Sequence, residues 1–332
     1  MTVERAAPDR NLALDLVRTT EAAALAAARW SGRGEKKAAD QAAVDAMRLM
    51  FNSIPLDGIV VIGEGEKDEA PMLFNGEHLG TGELPAVDIA VDPIDGTTLL
   101  SRGQGDALAV VAASERGTMF DPGPCMYMEK IAAGPLGGSA LDLDASIEDN
   151  VRNVAKARSM DPQDITVTIL DRERNQDAID RVRAMGSRVR LIEHGDIAGA
   201  ISAAMEGTGV DVLYGIGGTP EGVTSAAALR CIGGTILGRL WPRNDEERAA
   251  AIEQGYDLSR VLTTDDLVAG DNVFFAATGL TDGPLLQGVR YLPGGATTES
   301  IVMRSRSGTI RRIASRHRWE KLTKISNVEY RD

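Results

Sequence analysis

The apolar positions of this chain follow a helical pattern near the start and a strand pattern soon afterwards. Alanine-rich segments with apolar residues on most faces predict helices at about residues 12–30 and 38–52. Short β-branched runs bounded by glycine or proline then predict strands at residues 59–62, 87–92 and 107–113. The first part of the chain is therefore predicted to be α+β.

A regular alternation of strands and helices begins near residue 164. Three predicted strands are each followed by a predicted helix, at residues 165–170, 175–185, 188–192, 196–205, 210–214 and 219–231. Such a series is typical of parallel strands joined by right-handed crossovers. Further strands are predicted at residues 272–277 and 288–292, followed by a hairpin at 300–314 that turns at Ser307-Gly308.

Length and patterning together predict an α/β protein with two domains. A chain of 332 residues is long enough for two. The change of pattern places the division near residue 160. We therefore expect an N-terminal α+β domain at residues 1–160 and a C-terminal α/β domain at residues 161–332.

The composition excludes several classes of function. The chain has 36 Lys and Arg against 49 Asp and Glu, which gives a formal net charge of −13. Such a surface repels nucleic acid and anionic membranes, so a bound anion needs a local cationic pocket or a metal. No apolar run approaches the roughly 18 residues that cross a bilayer. Cys125 and Cys231 are too few for a disulfide framework or a thiolate metal site, so we expect a cytoplasmic protein.

The most specific local motif is the turn from Asp92 to Thr97, which reads Asp-Pro-Ile-Asp-Gly-Thr directly after a predicted strand. Two carboxylates three residues apart on a tight turn can converge on one cation, with the Thr97 hydroxyl beside them. Proline fixes one φ angle, and glycine lets the backbone approach a ligand closely. The same residues are also good turn formers, so the motif alone leaves a purely structural turn open.

A second acidic turn, residues 63–66, ends the strand predicted at 59–62. Glu64 therefore emerges at a strand end, where ligand sites of layered α/β proteins collect. The alternative is a solvated acidic loop, because the charged residues 67–69 follow. Asp40, near the start of the second predicted helix, could add a third oxygen donor. An acidic residue in a first helical turn is, however, favoured by the helix dipole alone.

A glycine-rich turn at residues 215–222 lies between a predicted strand and a predicted helix. It does not fit the dinucleotide fingerprint, because the third glycine of Gly-x-Gly-x-x-Gly would fall on Pro220, and it is not a P-loop. A glycine-rich helix N-terminus still offers backbone N–H groups to a phosphate. Glu221 would repel that anion unless it held a metal that in turn held the phosphate.

The candidate donors are all oxygen atoms. With three histidines and no cysteine cluster, the chain suits Mg²⁺ or Mn²⁺ better than zinc. Catalytic use of such an ion beside an anionic substrate indicates phosphoryl hydrolysis.

Taken together, these motifs resemble the lithium-sensitive sugar phosphatase superfamily, and most closely the class II fructose-1,6-bisphosphatases of bacteria. The resemblance runs almost from end to end and is carried by these strings: Gly32 to Asp40, Val61 to Lys67, Ala70 to Leu73, Asp92 to Thr97, Tyr127 to Lys130, Tyr214 to Gly222 and Ala276 to Gly279. It implies a layered αβαβα fold, a Mn²⁺ or Mg²⁺ site, and hydrolysis of fructose 1,6-bisphosphate to fructose 6-phosphate in gluconeogenesis. It also implies a homo-oligomer, a dimer or a tetramer.

The resemblance further implies roles for individual residues, with metal binding in the N-terminal domain and substrate binding in the C-terminal one. The family's metal carboxylates fall on Asp40, Glu64, Asp92, Asp95 and Glu221. Its water-activating threonine falls on Thr97. Its substrate contacts fall on Asp95, Gly96, Thr97, Tyr127, Arg172, Glu173, Arg174, His194, Gly195, Asp196 and Gly218.

Two segments depart from the family pattern. Residues 171–174 read Asp-Arg-Glu-Arg where a Lys-Pro pair often stands, and His194 occupies a position that is commonly acidic. The contacts to the non-reacting phosphate are therefore defined less well than the metal site. Lys36 or Lys37 could reach a phosphate instead, and Tyr127 could be a core aromatic.

Other functions remain open at this point. The same metal site could serve sedoheptulose 1,7-bisphosphate, an inositol phosphate or a nucleotide monophosphate. A different class of protein, a non-catalytic sugar-phosphate sensor, could use a structural cation. Thr97 distinguishes this last alternative, because a sensor does not need a hydroxyl next to the metal carboxylates.

Overall fold

The computed structural model describes residues 11–63, 73–325 and 330. The strands, in chain order, are β1 (Asp57–Ile62), β2 (His78–Leu79), β3 (Ala86–Asp95), β4 (Leu108–Glu115), β5 (Tyr127–Ala133), β6 (Thr166–Leu170), β7 (Arg188–Ile192), β8 (Val212–Gly218), β9 (Thr235–Leu240), β10 (Phe274–Gly279), β11 (Arg290–Leu292), β12 (Gly295–Arg304) and β13 (Thr309–Arg318). The α-helices are α1 (Ala13–Ala27), α2 (Lys36–Phe51), α3 (Thr97–Arg102), α4 (Pro135–Gly138), α5 (Ile147–Arg158), α6 (Gln176–Ala184), α7 (Asp196–Ala204), α8 (Thr219–Ile232), α9 (Asp245–Glu253), α10 (Thr264–Leu267) and α11 (Trp319–Ile325).

Two sheets organise the described residues. The first has the order β11-β12-β10-β4-β3-β1-β2, with β13 also paired to β12. Its strands β1 and β3 are parallel, and the other neighbours are antiparallel. The second has the order β7-β6-β8-β5-β9, with β6 parallel to both β7 and β8. The alternating strands and helices predicted after residue 164 are therefore confirmed as parallel strands with crossover helices.

Helices separate and cover these sheets in five layers. Helices α1 and α2 pack on the outer face of the first sheet, where Leu16, Val44 and Phe51 are buried against its strands. Helices α7 and α8 lie between the two sheets within one core cluster. Helices α5 and α6 cover the outer face of the second sheet, where Val151 and Ile179 are buried. The order is αβαβα, so the predicted fold class is confirmed.

The two central helices owe their small side chains to this position. All nine residues of α7 are buried, and ten of the 14 residues of α8 are buried. A helix covered on every side has no polar face for solvent, and alanine and glycine let both sheets approach its backbone. A Cβ on Gly199, for example, would lie 3.2 Å from the side chains of Leu213 and Thr168.

Sequence patterning did not predict β5, β9 or α5. Strand β5 is the clearest case, because a charged residue, Lys130, stands in the middle of it and interrupts the apolar pattern.

The chain also crosses between the sheets. Strand β5 precedes residue 160 but lies in the second sheet. Strands β10 to β13 follow residue 160 but lie in the first sheet. The domain division near residue 160 stays a prediction, since the sheets do not divide at one position in the chain.

None of the helices within the described residues is both long enough and apolar enough to cross a membrane.

Candidate active site

A cleft of about 370 Å³ opens where strands of both sheets end. The turns that follow β3, β6, β7 and β8 meet there, and so does the start of the antiparallel strand β5. Most of the residues singled out from the sequence line it: Asp92, Asp95, Gly96, Thr97, Tyr127, Arg172, Arg174, His194, Gly195, Asp196, Gly218 and Glu221. Residues from both sheets therefore contribute to one site.

Three predicted residues are placed differently. Asp40 lies on α2 behind the lining, close enough for the Thr97 side chain to hydrogen bond with it. Glu173 is exposed and does not line the cleft. Glu64 lies outside the described residues.

The turn after β3 delivers Asp95 and Thr97 to the cleft. Asp92 Oδ1 accepts a hydrogen bond from the Ile94 N–H at 3.1 Å, and the register against β4 shifts between Asp92 and Asp95. Gly96 then adopts φ 97°, a left-handed conformation that favours glycine, and α3 begins at Thr97. The Thr97 hydroxyl donates to the Ile94 carbonyl at 3.2 Å.

The acidic floor of the cleft consists of Asp95, Asp196 and Glu221, with Lys130 beside them. Asp95 and Asp196 are buried, at 4% and 5% exposure. Burial raises the pKa of Asp95 well above its usual range, and the negative charges of Asp196 and Glu221 raise it further. The pKa of Glu221 is raised by burial and by Asp196. These carboxylates therefore repel one another in a poorly solvated place.

Asp40 adds a further carboxylate next to this floor. Burial raises its pKa, while hydrogen bonding to the Thr97 side chain and the charge of Lys36 oppose the rise. Lys36 Nζ donates to the Thr98 hydroxyl at 2.7 Å, so its ammonium lies at the same corner of the cleft.

The cationic rim consists of Lys36, Arg172, Arg174 and His194. Arg174 stacks on Tyr127, with its guanidinium carbon 4.4 Å from the ring centroid, and its Nε donates to the Ile216 carbonyl at 3.0 Å. Arg172 donates to the Glu193 carbonyl at 2.5 Å. Burial, together with the charges of Arg172 and Lys36, lowers the pKa of His194. The rim therefore takes its positive charge from lysine and arginine.

Two ion pairs connect the turns of the two sheets beside the cleft. Arg102, in the last turn of α3, lies 3.2 Å from Glu193, which directly precedes His194. Arg190 on β7 lies 3.2 Å from Asp106. Asp106 is held at φ 74°, a conformation that few residues other than glycine adopt. These contacts bridge the segment that follows the Asp95–Thr97 turn and the segment that precedes the His194–Asp196 turn.

Two residues of the site were missed by sequence reasoning. Lys130 is 2% exposed, with Nζ 2.5 Å from Asp196 Oδ2. Asn175 is buried and binds both the carbonyl and the N–H of Ile216, at 3.2 and 2.8 Å, which joins the end of β6 to β8. The only signal for Lys130 was its place in the Tyr127 to Lys130 string, and Asn175 gave none.

The donor chemistry of the site fits a hard divalent cation. Asp95 Oδ2 and Asp40 Oδ1 are buried and make no hydrogen bond to any described residue. A cation would satisfy such oxygens and relieve the repulsion within the floor. Among the described residues, no group of three or more acidic, histidine or cysteine side chains is gathered closely enough to hold a metal. The predicted set would also include Glu64, which is not described.

The five-layered fold and a strand-end cleft with carboxylates on one side and arginines on the other define a phosphatase of the layered α/β class. The model of the family described as bacterial fructose-1,6-bisphosphatase, glpX-encoded, matches residues 10–317. The chain belongs to this family, and the resemblance seen in the sequence is confirmed.

Three relatives are each 47% identical over 321 residues, covering 93% of this chain and 95% of theirs. They are Fructose-1,6-bisphosphatase 1 class 2 of Escherichia coli (strain K12) and the proteins named Fructose-1,6-bisphosphatase class 2 of Escherichia coli O6:H1 and of Shigella flexneri.

Proposed function

We propose that this chain hydrolyses the 1-phosphate of fructose 1,6-bisphosphate, giving fructose 6-phosphate and phosphate. The observation that carries the proposal is the pairing of an acidic floor with a cationic rim in one cleft. One end of the cleft has the donors that a metal-assisted phosphoryl transfer needs, and the other has cations for a phosphate that does not react. Membership of the bacterial fructose-1,6-bisphosphatase family supports this activity.

The carboxylates of Asp40, Glu64, Asp92, Asp95 and Glu221 would hold Mg²⁺ or Mn²⁺, because the family is metal-dependent. When bound, such a cation neutralises phosphate oxygens, stabilises the leaving alkoxide and lowers the pKa of water. The chain's own contribution is to hold Asp95 and Glu221 near each other against their repulsion, since the negative charge of Glu221 raises the pKa of Asp95.

Thr97 orients the attacking water in this proposal. Its hydroxyl donates to the Ile94 carbonyl and lies close enough to Asp40 to lower the pKa of that carboxyl, so the hydroxyl is positioned before substrate binds. A positioned hydroxyl of this kind lowers the cost of reaching the attack geometry. A non-catalytic sugar-phosphate sensor would not need a positioned hydroxyl, so this feature of Thr97 argues against the sensor alternative.

Arg174 is the main contact for the non-reacting phosphate. Its guanidinium is already held by the Tyr127 ring and the Ile216 carbonyl, so little side-chain entropy is lost on binding. Its planar fork suits phosphate oxygens. Arg172 and Lys36 add positive charge nearby, His194 adds a hydrogen-bonding ring, and the sugar lies between the floor and the rim.

A phosphate-release assay tests the proposal. Purified protein with Mg²⁺ or Mn²⁺ is offered fructose 1,6-bisphosphate, sedoheptulose 1,7-bisphosphate, an inositol monophosphate and a nucleotide monophosphate. We expect the highest kcat/KM on fructose 1,6-bisphosphate, with the heptulose bisphosphate second because it keeps both phosphates. A preference for the inositol or nucleotide monophosphate would move the protein to another branch of the class, and release from none of them would favour the sensor.

The family resemblance also suggests where and how the enzyme works. We propose that it acts in the cytoplasm in gluconeogenesis and assembles as a homodimer or homotetramer. Light scattering on the purified chain separates these assemblies from a monomer.

A further inference from the structure

Lys130 is a buried cation that the proposed reaction does not use. It stands in the middle of β5, is 2% exposed and does not line the cleft. Transferring an ammonium group from water to such a place is costly unless it is paired and hydrogen bonded. The residue therefore needs partners, and the structure shows what they are.

Its ammonium group joins two turns of the cleft. Nζ lies 2.5 Å from Asp196 Oδ2, at the first residue of α7, and donates to the Gly218 carbonyl at 2.9 Å, at the last residue of β8. These turns come from different crossover units of the second sheet. Lys130 approaches both from β5, behind the cleft.

The backbone at Gly217 packs closely against the Lys130–Asp196 ion pair and leaves no room there for a side chain. A Cβ on Gly217 would lie 2.5 Å from Asp196 Oδ2 and 3.1 Å from Lys130 Cε. Any larger residue at position 217 would push the lysine and the aspartate apart. The positive charge also opposes the burial-induced rise in the pKa of Asp95 and of Glu221.

We propose that Lys130 is a positioning residue for the sugar. Its ammonium holds the Asp196 carboxylate and the Gly218 carbonyl at a fixed separation, so that both turns present their remaining polar groups to the substrate in one arrangement. This inference rests on the proposed function, because it takes the two turns to be substrate contacts. Lys130 itself does not touch the substrate, since it lies behind the lining residues.

The primary test is Lys130→Met, which keeps much of the length and removes the charge. We expect KM for fructose 1,6-bisphosphate to rise by about 10-fold to 100-fold, the range of a lost charge-assisted contact, with kcat within about threefold of the wild type. Calorimetric binding of fructose 6-phosphate, which needs no turnover, should weaken by a similar factor. A collapse of kcat at unchanged KM would overturn the proposal, because it would place Lys130 in the chemical step.

A double-mutant cycle asks whether Lys130 acts through Asp196. We expect Lys130→Met to raise KM by a smaller factor in the Asp196→Asn background than in the wild type, because only the contact with the Gly218 carbonyl is then left to lose. Effects that multiply would overturn this route. The double variant also removes both charges together, so it keeps the comparison available if Lys130→Met alone does not fold.

Arg158→Met is the matched control. Arg158 lies 3.2 Å from the buried Asp211, at the far side of the second sheet and outside the cleft. Its loss should lower Tm and leave KM unchanged. If Arg158→Met raised KM as much as Lys130→Met, the lysine would have only a general structural role.

These outcomes are separate from a failure of the proposed function. In that case wild-type protein itself would release no phosphate from fructose 1,6-bisphosphate and bind no fructose 6-phosphate, which would also overturn the role given to Lys130. An active wild type with a KM unchanged in Lys130→Met would overturn the positioning role alone.

Discussion

The floor and the rim of the cleft treat charge in opposite ways. On the floor, Asp95, Asp196 and Glu221 lie near one another with little solvent, and burial raises the pKa of Asp95 and Glu221. On the rim, Arg172 and Arg174 are partly exposed and are tied to backbone carbonyls rather than to carboxylates. The carboxylates of the floor therefore repel one another, whereas the arginines of the rim keep their positive charge available for a substrate phosphate.

The difference shows how the two regions divide the work. Interactions between charges are strong where solvent is excluded, so the floor can stabilise a developing charge once a cation offsets its own repulsion. Each charge that faces water interacts weakly because solvent and salt screen it. The rim would therefore bind a phosphate through several hydrogen-bond donors with favourable orientations. Changes to Asp95 or Glu221 on the floor should therefore affect kcat, and changes to Arg172 or Arg174 on the rim should affect KM.

The largest effect is expected from removing divalent cations. Excess EDTA should abolish phosphate release, and Mn²⁺ or Mg²⁺ should restore it, because the floor then lacks the charge that offsets its carboxylates. Glu221→Gln should lower activity by at least about a hundredfold at saturating metal. Full turnover in excess EDTA would remove the basis for the distinction between floor and rim.

Thr97 should give the next largest effect, confined to kcat. Thr97→Ala is expected to lower kcat by about 10²–10⁴ with little change in KM, because the attacking water loses its orienting hydroxyl. Thr97→Ser keeps the hydroxyl and should retain measurably more activity in the same steady-state assay. Equal and mild losses in both variants would reduce Thr97 to a turn residue.

Arg174 should show the reverse split. Arg174→Ala is expected to raise KM for fructose 1,6-bisphosphate by about 10-fold to 150-fold, the equivalent of one or more lost charged hydrogen bonds. It should matter far less for a monophosphate, which has no second phosphate to hold.

Arg243→Ala is the control for Arg174. Arg243 also stacks on Tyr127, at 5.8 Å, but does not line the cleft. Steady-state kinetics of both variants on fructose 1,6-bisphosphate and on a monophosphate test this role of Arg174. Equal losses on the two substrates in Arg174→Ala would place the second phosphate elsewhere, with Lys36, Lys37 and His194 as the next candidates.

The smallest effect concerns the response of the rim to pH. Burial and neighbouring cations hold the pKa of His194 below its usual value, so the neutral ring contributes stability above about pH 6.5 that is lost as pH falls through the folded-state pKa. Between pH 7 and 5, Tm should therefore fall less for His194→Asn than for wild type. Identical pH slopes for wild type and His194→Asn would contradict the assignment.

The secondary structure was largely readable from local patterns. The alanine-rich helices and the alternating units after residue 164 follow periods that burial imposes, so α1, α2 and α6 to α8 were predicted within a few residues. Strand β5 was not, because its central lysine looks like a surface residue until the carboxylate that pairs with it is known. The role of Glu173 stays a prediction, since this residue is exposed and does not line the cleft although Arg172 and Arg174 on either side of it do.

The sequence by itself determined the alternation of strands and helices and the turn that carries Asp95 and Thr97, because each depends on residues close together in the chain. Its resemblance to a known family implied the layered fold and the oxygen-donor metal site. The tertiary structure decided which distant turns share the cleft, that β10 to β13 return to the first sheet, and that Lys130 pairs with Asp196. Those outcomes depend on how layers stack and on where a buried charge finds its partner. Local sequence patterns do not specify the partner of a buried charge, because the free energy of a buried ion pair depends on the burial of both residues in the folded protein.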